Sequence, residues 1–544
     1  FVKRPWLSMG FVALSIALLM FTMAKTPTTL VPNEDTGTIM GAVTLPPGTS
    51  QDRTDKMLRQ VEKLVMASPL VDNTVVISGF SFLGGQGSSY GSFIIKLKPW
   101  EERNSVTESS TMVFANLYLE SQKAFKDAQV LFFQPPMIAG YGMSNGFSLN
   151  LQDRTGGDLT KFKKVADDFI AELEKRPEIQ SAQTNFDTRF PQYTIDIDAA
   201  QCKRAGLSPT DVLTTLQGYL GGLYSSNFNR FGKVYRVMVQ ADFADRSNIE
   251  SLNNIKVRNN RGEMAPITQF MTLTPTEGPD VISRFNMFTS IAINGNPADG
   301  YTSGQAVKAV EEVAKSTLPV GYTYEYSGLT REEQSSGSST TGLVFVLCFV
   351  FIYLLLAAQY ESYFLPFAVL LSVPFGLLGA FLFIHLMGSL GYIPGMVGKI
   401  LGAIFGQAQN NIYVQISLIM LMGLLAKNAI LIVEFALDRR KMGMSITAAS
   451  LHGAAARLRP ILMTSMAMII GLLPMMFAFG VGANGNRALG TTAVGGMFIG
   501  MICQVFVVPA LFRIFQGIQE HFKPIDFGDL HDADATPDLE QYTK

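Results

Sequence analysis

Six apolar runs constrain this chain more than any other feature. They lie at roughly 6–24, 340–358, 363–387, 412–437, 460–481 and 489–516, and each is near or above the about 20 residues that a helix needs to cross a bilayer. A polytopic α-helical membrane protein is therefore expected. Composition agrees, since only 16% of the 544 residues are charged, against about a quarter in soluble domains. Lys3 and Arg4 before the first run resemble the start of a signal peptide. The length of that run, with no small-residue cleavage pattern behind it, predicts a retained span instead.

Lys and Arg in short loops set orientation. Arg439, Arg440, Lys441, Arg457 and Arg459 crowd the fourth connection, and Arg513 and Lys523 flank the last exit. These loops are expected inside the cell, which places residues 25 to about 338 and the Gly-rich stretch 388–411 on the opposite side. The expected organisation is span one at 1–24, an external domain at 25–338, five spans at 339–517 and a disordered acidic tail at 518–544. For 388–411, an interfacial helix is the expectation.

Several function classes fall away. Lys plus Arg (43) nearly balances Asp plus Glu (44), so there is no basic excess for nucleic acid. Cys202, Cys348 and Cys503 lie far apart, and His385, His452, His521 and His531 never pair at ligand spacing. No disulfide framework and no metal site are expected. No nucleophile–base pairing or phosphate loop emerges, so neither enzymatic activity nor a cofactor is anticipated.

The external domain alternates strand-like and helix-like periods. One pass predicts a strand at Thr38–Leu45, a helix at Ser50–Ala67 and strands at Thr74–Phe80 and Ser92–Leu97. A second predicts a strand at Phe147–Gln152, a helix at Asp158–Lys175 and strands at Ile179–Asn185 and Gln192–Ile197. The expectation is an α+β domain of duplicated split βαβ modules. An insertion able to dock to a neighbour is expected at about 186–283.

Lys427 stands near the middle of the fourth run, about 15 Å from its cytoplasmic end at 1.5 Å per residue. An ionisable group at that depth is a functional candidate, with a snorkelling anchor as the alternative. Glu434, the only acid in the six runs, is seven residues away on the same helix, about 10 Å and too far to pair. The partner is expected on another polypeptide or on a longer chain of which this one is part. Arg457 and Thr464 lie by the fifth run, around Pro460 at an expected helix start. Arg457 suits an inner-face anchor or a relay, and the hydroxyls of Thr464 and Ser465 either bond the backbone one turn earlier or join that relay. Outside, Gly79-Phe80-Ser81-Phe82 leads into a Gly-rich stretch to Gly91. This reads as a half-buried strand and loop, or as a mobile aromatic flap over an apolar pocket.

Five segments carry a resemblance: Leu30–Gly37, Leu45–Gly48, Lys98–Arg103, Ala426–Phe435 and Leu458–Ser465. With them the chain, from Phe1 to about Gln519, resembles the C-terminal half of a resistance-nodulation-division (RND) multidrug efflux transporter of the hydrophobe/amphiphile type. The resemblance implies half of a twelve-span fold, with a periplasmic porter and docking domain, in a bacterial inner-membrane homotrimer. It also implies a periplasmic adaptor protein and an outer-membrane channel as partners. The implied activity is proton-driven efflux of small amphiphilic or hydrophobic compounds such as drugs, detergents or bile-salt-like molecules. Lys427, Arg457 and Thr464 match the family's proton relay, whose acidic residues belong to the N-terminal half. Gly79, Phe80 and Phe82 match its switch loop, Met40 and Ile77 its deep-pocket lining, and Phe147, Leu149 and Leu151 its entrance cleft. Val75 and Ile94 stand where well-known members have phenylalanine, and Gln183 where they have arginine.

Overall fold

The structure, a computed structural model, describes residues 2, 4–82, 84–103, 108–138, 141, 146–298, 301–336, 340–389, 409–522 and 524. The acidic tail and most of the 388–411 stretch lie outside these residues. The described chain divides into two units, one formed by Phe1–Phe186 with Ser283–Lys544 and the other by Asp187–Ile282.

In the first unit, α1 (Pro5–Lys25) precedes β1 (Thr38–Thr44), α2 (Gln51–Met66), β2 (Val71–Ser81), β3 (Gly85–Leu97), α3 (Ser110–Ala124) and β4 (Gln129–Phe133). The four strands form an antiparallel sheet in the order β2-β3-β1-β4. Along α2, Thr54, Leu58, Val61 and Val65 recur every three or four residues and are buried. They pack on Ile39, Val43, Phe93 and Ile95 from one side of the sheet.

The chain then forms β5 (Phe147–Asp153), α4 (Leu159–Glu174) and β6 (Ile179–Gln183) before leaving this unit. The Asp158 carboxylate accepts the Thr160 N–H to start α4, whose Phe162, Ala166, Phe169 and Leu173 are buried.

The second unit holds β7 (Phe190–Ile197), α5 (Ala199–Arg204), α6 (Pro209–Leu216), β8 (Leu223–Arg230), β9 (Lys233–Val239), α7 (Phe243–Arg246), β10 (Lys256–Arg258), β11 (Met264–Pro266) and β12 (Met271–Gly278). Here β7 pairs with β12. This corrects the expectation that Gln192–Ile197 completes the second module: its partner comes from much later in the chain, which local periodicity does not report. The hairpin of β8 and β9 is solvent-exposed on both faces.

Back in the first unit, β13 (Ser283–Phe285), β14 (Phe288–Pro297), α8 (Ser303–Thr317), β15 (Tyr322–Tyr326) and α9 (Gly328–Ser336) follow. The second sheet runs β13-β14-β5-β15, with β6 also on β14. Taking β5, β6, β14 and β15 as its four main strands, its order matches that of the first sheet, and α4 and α8 cover one side.

Among the described residues, six helical segments are long and apolar enough to cross a membrane. They are α1, α10 (Thr340–Tyr360), the broken pair α11 (Leu365–Leu370) and α12 (Val373–Ser389), α13 (Ile412–Lys441), α14 (Ile446–Met476) and α15 (Ala483–Phe522). Two boundaries depart from the sequence reading. Pro460 is inside α14, which starts at Ile446 behind the Ser445 cap. A proline there removes one helical hydrogen bond without ending the helix, because neighbouring helices hold its two halves. The last span continues to Phe522, where Glu520 pairs with Arg440 at 2.9 Å, so no tail begins at 518.

Candidate functional site

Two regions hold the candidate residues. In the membrane, α13 and α14 each present a neighbouring pair that splits between the inside and outside of the helix bundle. Asn428 is buried and its Nδ2 donates to Ser465 Oγ at 3.0 Å, which ties α13 to α14. The adjacent Lys427 and Thr464 are exposed on the outer surface of the described spans. Gly423, Lys427 and Glu434 are all exposed, at spacings of four and seven that keep them on one helix face. Among the described residues Lys427 forms no ion pair.

Arg457 is half-buried in the first half of α14, its guanidinium 4.8 Å from the Phe435 ring centroid. Arg439 stacks over the same ring at 5.0 Å. Thr464 Oγ1 donates to Pro460 O at 3.0 Å and Ile461 O at 3.2 Å, so its hydroxyl bonds the preceding turn. The structure therefore does not bring Lys427, Arg457 and Thr464 into mutual hydrogen bonds. Sequence reasoning weighed Ser465 but missed its bond to Asn428, which stands next to Lys427.

The external region is the first sheet's open side, opposite α2 and α3. Met40 pairs with Ile94, and Ile94 with Val75. Ile77, two residues along from Val75, shares that side, as does Leu131 through its pairing with Ala42. Met40, Ile77, Ile94 and Leu131 are half-buried and Val75 is 55% exposed. The expected flap is mostly paired strand: Phe80 faces Gln86 and Ser81 faces Gly85, leaving a turn around 82–84. Alternation of glycine with polar residues looks loop-like in sequence, yet that stretch begins β3, and pairing with β2 orders it. Leu83 lies outside the described residues. The Phe80 and Phe82 rings meet edge to face at 5.5 Å. Gly79 has φ +79°, a conformation glycine favours, where the β2–β3 register shifts.

Phe147, Leu149 and Leu151 require a correction. They are at most 1% exposed and sit in the core beneath α4 and α8, so they line no cleft. Their spacing of two marks a buried strand face; of the alternate residues, Ser148 and Asn150 are half-buried on the other side, where Gln152 is buried. A cavity of about 400 Å³ does lie between edge strands β4 and β6. Phe114, Tyr118 and Leu131 line it from one module, and Gln180, Gln183 and Asn294 from the other. Gln129 Nε2 donates across it to Gln183 Oε1 at 3.4 Å.

A second cavity, of about 290 Å³, lies where the spans meet the external domain, bordered by Leu30, Ser303, Glu333, Asn411 and Thr491. The Glu333 carboxylate accepts a bond from Ser303 Oγ at 2.8 Å. Burial pushes its pKa above the ordinary glutamate value, while the bonds from Ser303 and the Leu30 backbone pull the other way. No group of three or more potential metal ligands occurs among the described residues.

A family model described as the AcrB/AcrD/AcrF family matches residues 1–398 and 390–516. The chain is 34% identical to an antibiotic efflux pump membrane transporter, ArpB, of Pseudomonas putida over 542 residues, which is 99% of this chain and 48% of the relative. It is 34% identical to the toluene efflux pump membrane transporter TtgB, also of Pseudomonas putida, covering 97% of this chain and 48% of the relative. With the multidrug export protein AcrF of Escherichia coli it shares 33% identity over 93% of this chain and 47% of the relative. The chain thus spans about half the length of these curated relatives.

Proposed function

The chain belongs to the AcrB/AcrD/AcrF family, and from that premise we propose that it is the C-terminal, six-span half of a proton-driven RND exporter of amphiphilic compounds. The observation that carries this reading is Lys427, set mid-span on the outer face of the bundle without an acidic partner among the described residues. A lysine at the centre of a membrane helix costs about 2.5–3.5 kcal/mol or more if it faces lipid. A second six-span element bearing carboxylates removes that cost, and protonation of those carboxylates would then release Lys427. One proton moving through 100 mV supplies about 2.3 kcal/mol, enough to bias two conformations. In this reading Arg457 and Thr464 border the relay, and the other half is the partner on the Lys427 face.

The sheets of the first unit serve as split βαβ porter modules on the periplasmic side of the inner membrane. Met40, Ile77, Phe80 and Phe82 contact substrate, with Gly79 as the pivot of the aromatic turn. The second unit serves as the docking part of a homotrimer that works with an adaptor and an outer-membrane channel. The names of relatives that export antibiotics, toluene and multiple drugs support the amphiphile class. The test is dye efflux from cells carrying the complete pump. Collapse of the proton gradient should stop extrusion, and extrusion that continues without the gradient would overturn the reading.

A further inference from the structure

Between α1 and β1 the chain runs Pro32-Asn33-Glu34-Asp35-Thr36-Gly37, and its two adjacent carboxylates hold two different helices. Glu34 Oε2 accepts the Asn484 N–H at 3.1 Å and Oε1 accepts the Gly485 N–H at 2.6 Å. Asn484 Nδ2 returns a bond to Asn33 O at 2.5 Å. These are first-turn groups of α15, which helix geometry leaves without partners, and the aligned peptide dipoles favour an anion there.

Asp35 faces the external domain. Its Oδ2 accepts the Ser110 N–H at 2.6 Å, at the start of α3, and Arg103 Nη1 at 3.2 Å. Its Oδ1 accepts the Gly37 N–H at 2.9 Å, and Trp100 Nε1 donates to its carbonyl at 3.3 Å. Arg103 is 1% exposed and also donates to Lys98 O and Glu108 O. Neighbouring Cα atoms are about 3.8 Å apart, so there is no slack between the α15 cap and the α3 cap. Three residues past Gly37 stands Met40, on the apolar side of the first sheet.

The middle of α15 is tied to α13. Gln504 Nε2 donates at 3.1 Å to Leu425 O of α13 and at 3.1 Å to Ser372 Oγ between α11 and α12. A Cβ on Gly376 would come within 1.9 Å of Leu425, and one on Gly500 within 2.6 Å. Arg440 and Glu520 clamp α13 to α15 again near the inner end. Lys427 is thus carried by a helix bonded to α15 on either side of it in sequence.

We propose that Glu34 and Asp35 are positioning residues of transport: a rigid link through which movement of the α13–α15 block, set by the charge state around Lys427, shifts β1 and the apolar sheet face. The link rests on the proton-driven reading above. Coupling is an energy, and the test measures it.

The complete pump is reconstituted in vesicles with Glu34→Gln, Asp35→Asn, the double variant and Asn484→Pro. The last removes the helix-side N–H at a position where helices tolerate proline, and it stands in should Glu34→Gln fail to assemble. Lys427→Ala runs alongside. Dye binding, proton-driven dye transport and dye-stimulated proton flux are measured. Glu34→Gln and Asn484→Pro should each cut transport by about tenfold while dye affinity stays within about twofold, and dye should no longer stimulate proton flux. The double variant should be no worse than the more damaged single one, as for residues acting in one path. Transport within about twofold of native in both single variants, dye affinity falling in step with transport, or losses that multiply in the double variant would each overturn the link. If Lys427→Ala transports normally, the proton-driven reading itself fails. If it is inactive while Glu34→Gln and Asn484→Pro transport normally, only the link fails.

Discussion

The two sheets of the first unit share a strand order but present opposite open faces. In β5, Phe147, Leu149 and Leu151 point to the core while Ser148, Asn150 and Gln152 point away, and Asn294, Thr323 and Glu325 extend that polar side. In the first sheet both sides are apolar: Ile39 and Val43 face the helices, and Met40, Ile77, Ile94 and Leu131 face away. A sheet covered by helices on one side ordinarily shows alternation, with water on the other. Uncovered apolar surface of this kind marks a place for a ligand or partner. In the proposed reading, this difference puts substrate contact on the first sheet and gives the second a supporting part.

Four substitutions would break or sharpen that contrast. Ile77→Asp should reduce efflux of amphiphilic dyes about tenfold or more, while Asn150→Asp on the matching side of the second sheet should change it less than about twofold. Equal losses, measured as minimum inhibitory dye concentrations at matched protein levels, would erase the distinction. Leu149→Ala should destabilise the second module by about 2–5 kcal/mol, as expected for a fully buried leucine, with dye affinity retained in the protein that folds. A changed dye affinity with unchanged thermal unfolding would return Leu149 to a binding surface. Val75→Phe, which places an aromatic ring beside Ile94 and Met40, should tighten binding of planar aromatic dyes by about threefold to tenfold relative to aliphatic detergents. Competition binding reads that ratio directly.

The smallest effect concerns Glu333. Burial raises its pKa, so the folded state binds this proton more tightly than the unfolded state. Its contribution to stability is thus greatest in acid and declines as pH climbs past the ordinary glutamate range to the folded pKa. Glu333→Gln should flatten that slope, unfolding about 1–2 °C higher than native at alkaline pH. Parallel pH curves for the two proteins would contradict it.

Much of this was legible in residues alone. Six apolar runs, the period of α2 and α4, and the alternation in β5 are local signals, and the structure shows helices and strands at those places. What failed is non-local. Strand β7 finds β12 some eighty residues later, and the glycine-rich stretch after Phe80 is ordered only because β2 pairs with it. Family matching set Phe147, Leu149 and Leu151 on a cleft, whereas their own period of two places them in a core. In the membrane, Lys427 stood out through its charge. The neutral contact of Asn428 with Ser465 gave no such signal. Glu34 and Asp35 belonged to a recognisable segment, but their separate helices become apparent only in three dimensions.

The most direct test of the central claim is proton-driven dye efflux by the complete pump carrying Lys427→Ala. The account predicts that extrusion is abolished while assembly and dye binding persist, because the charge that follows the proton is gone. Efflux at the native rate from that variant would contradict it.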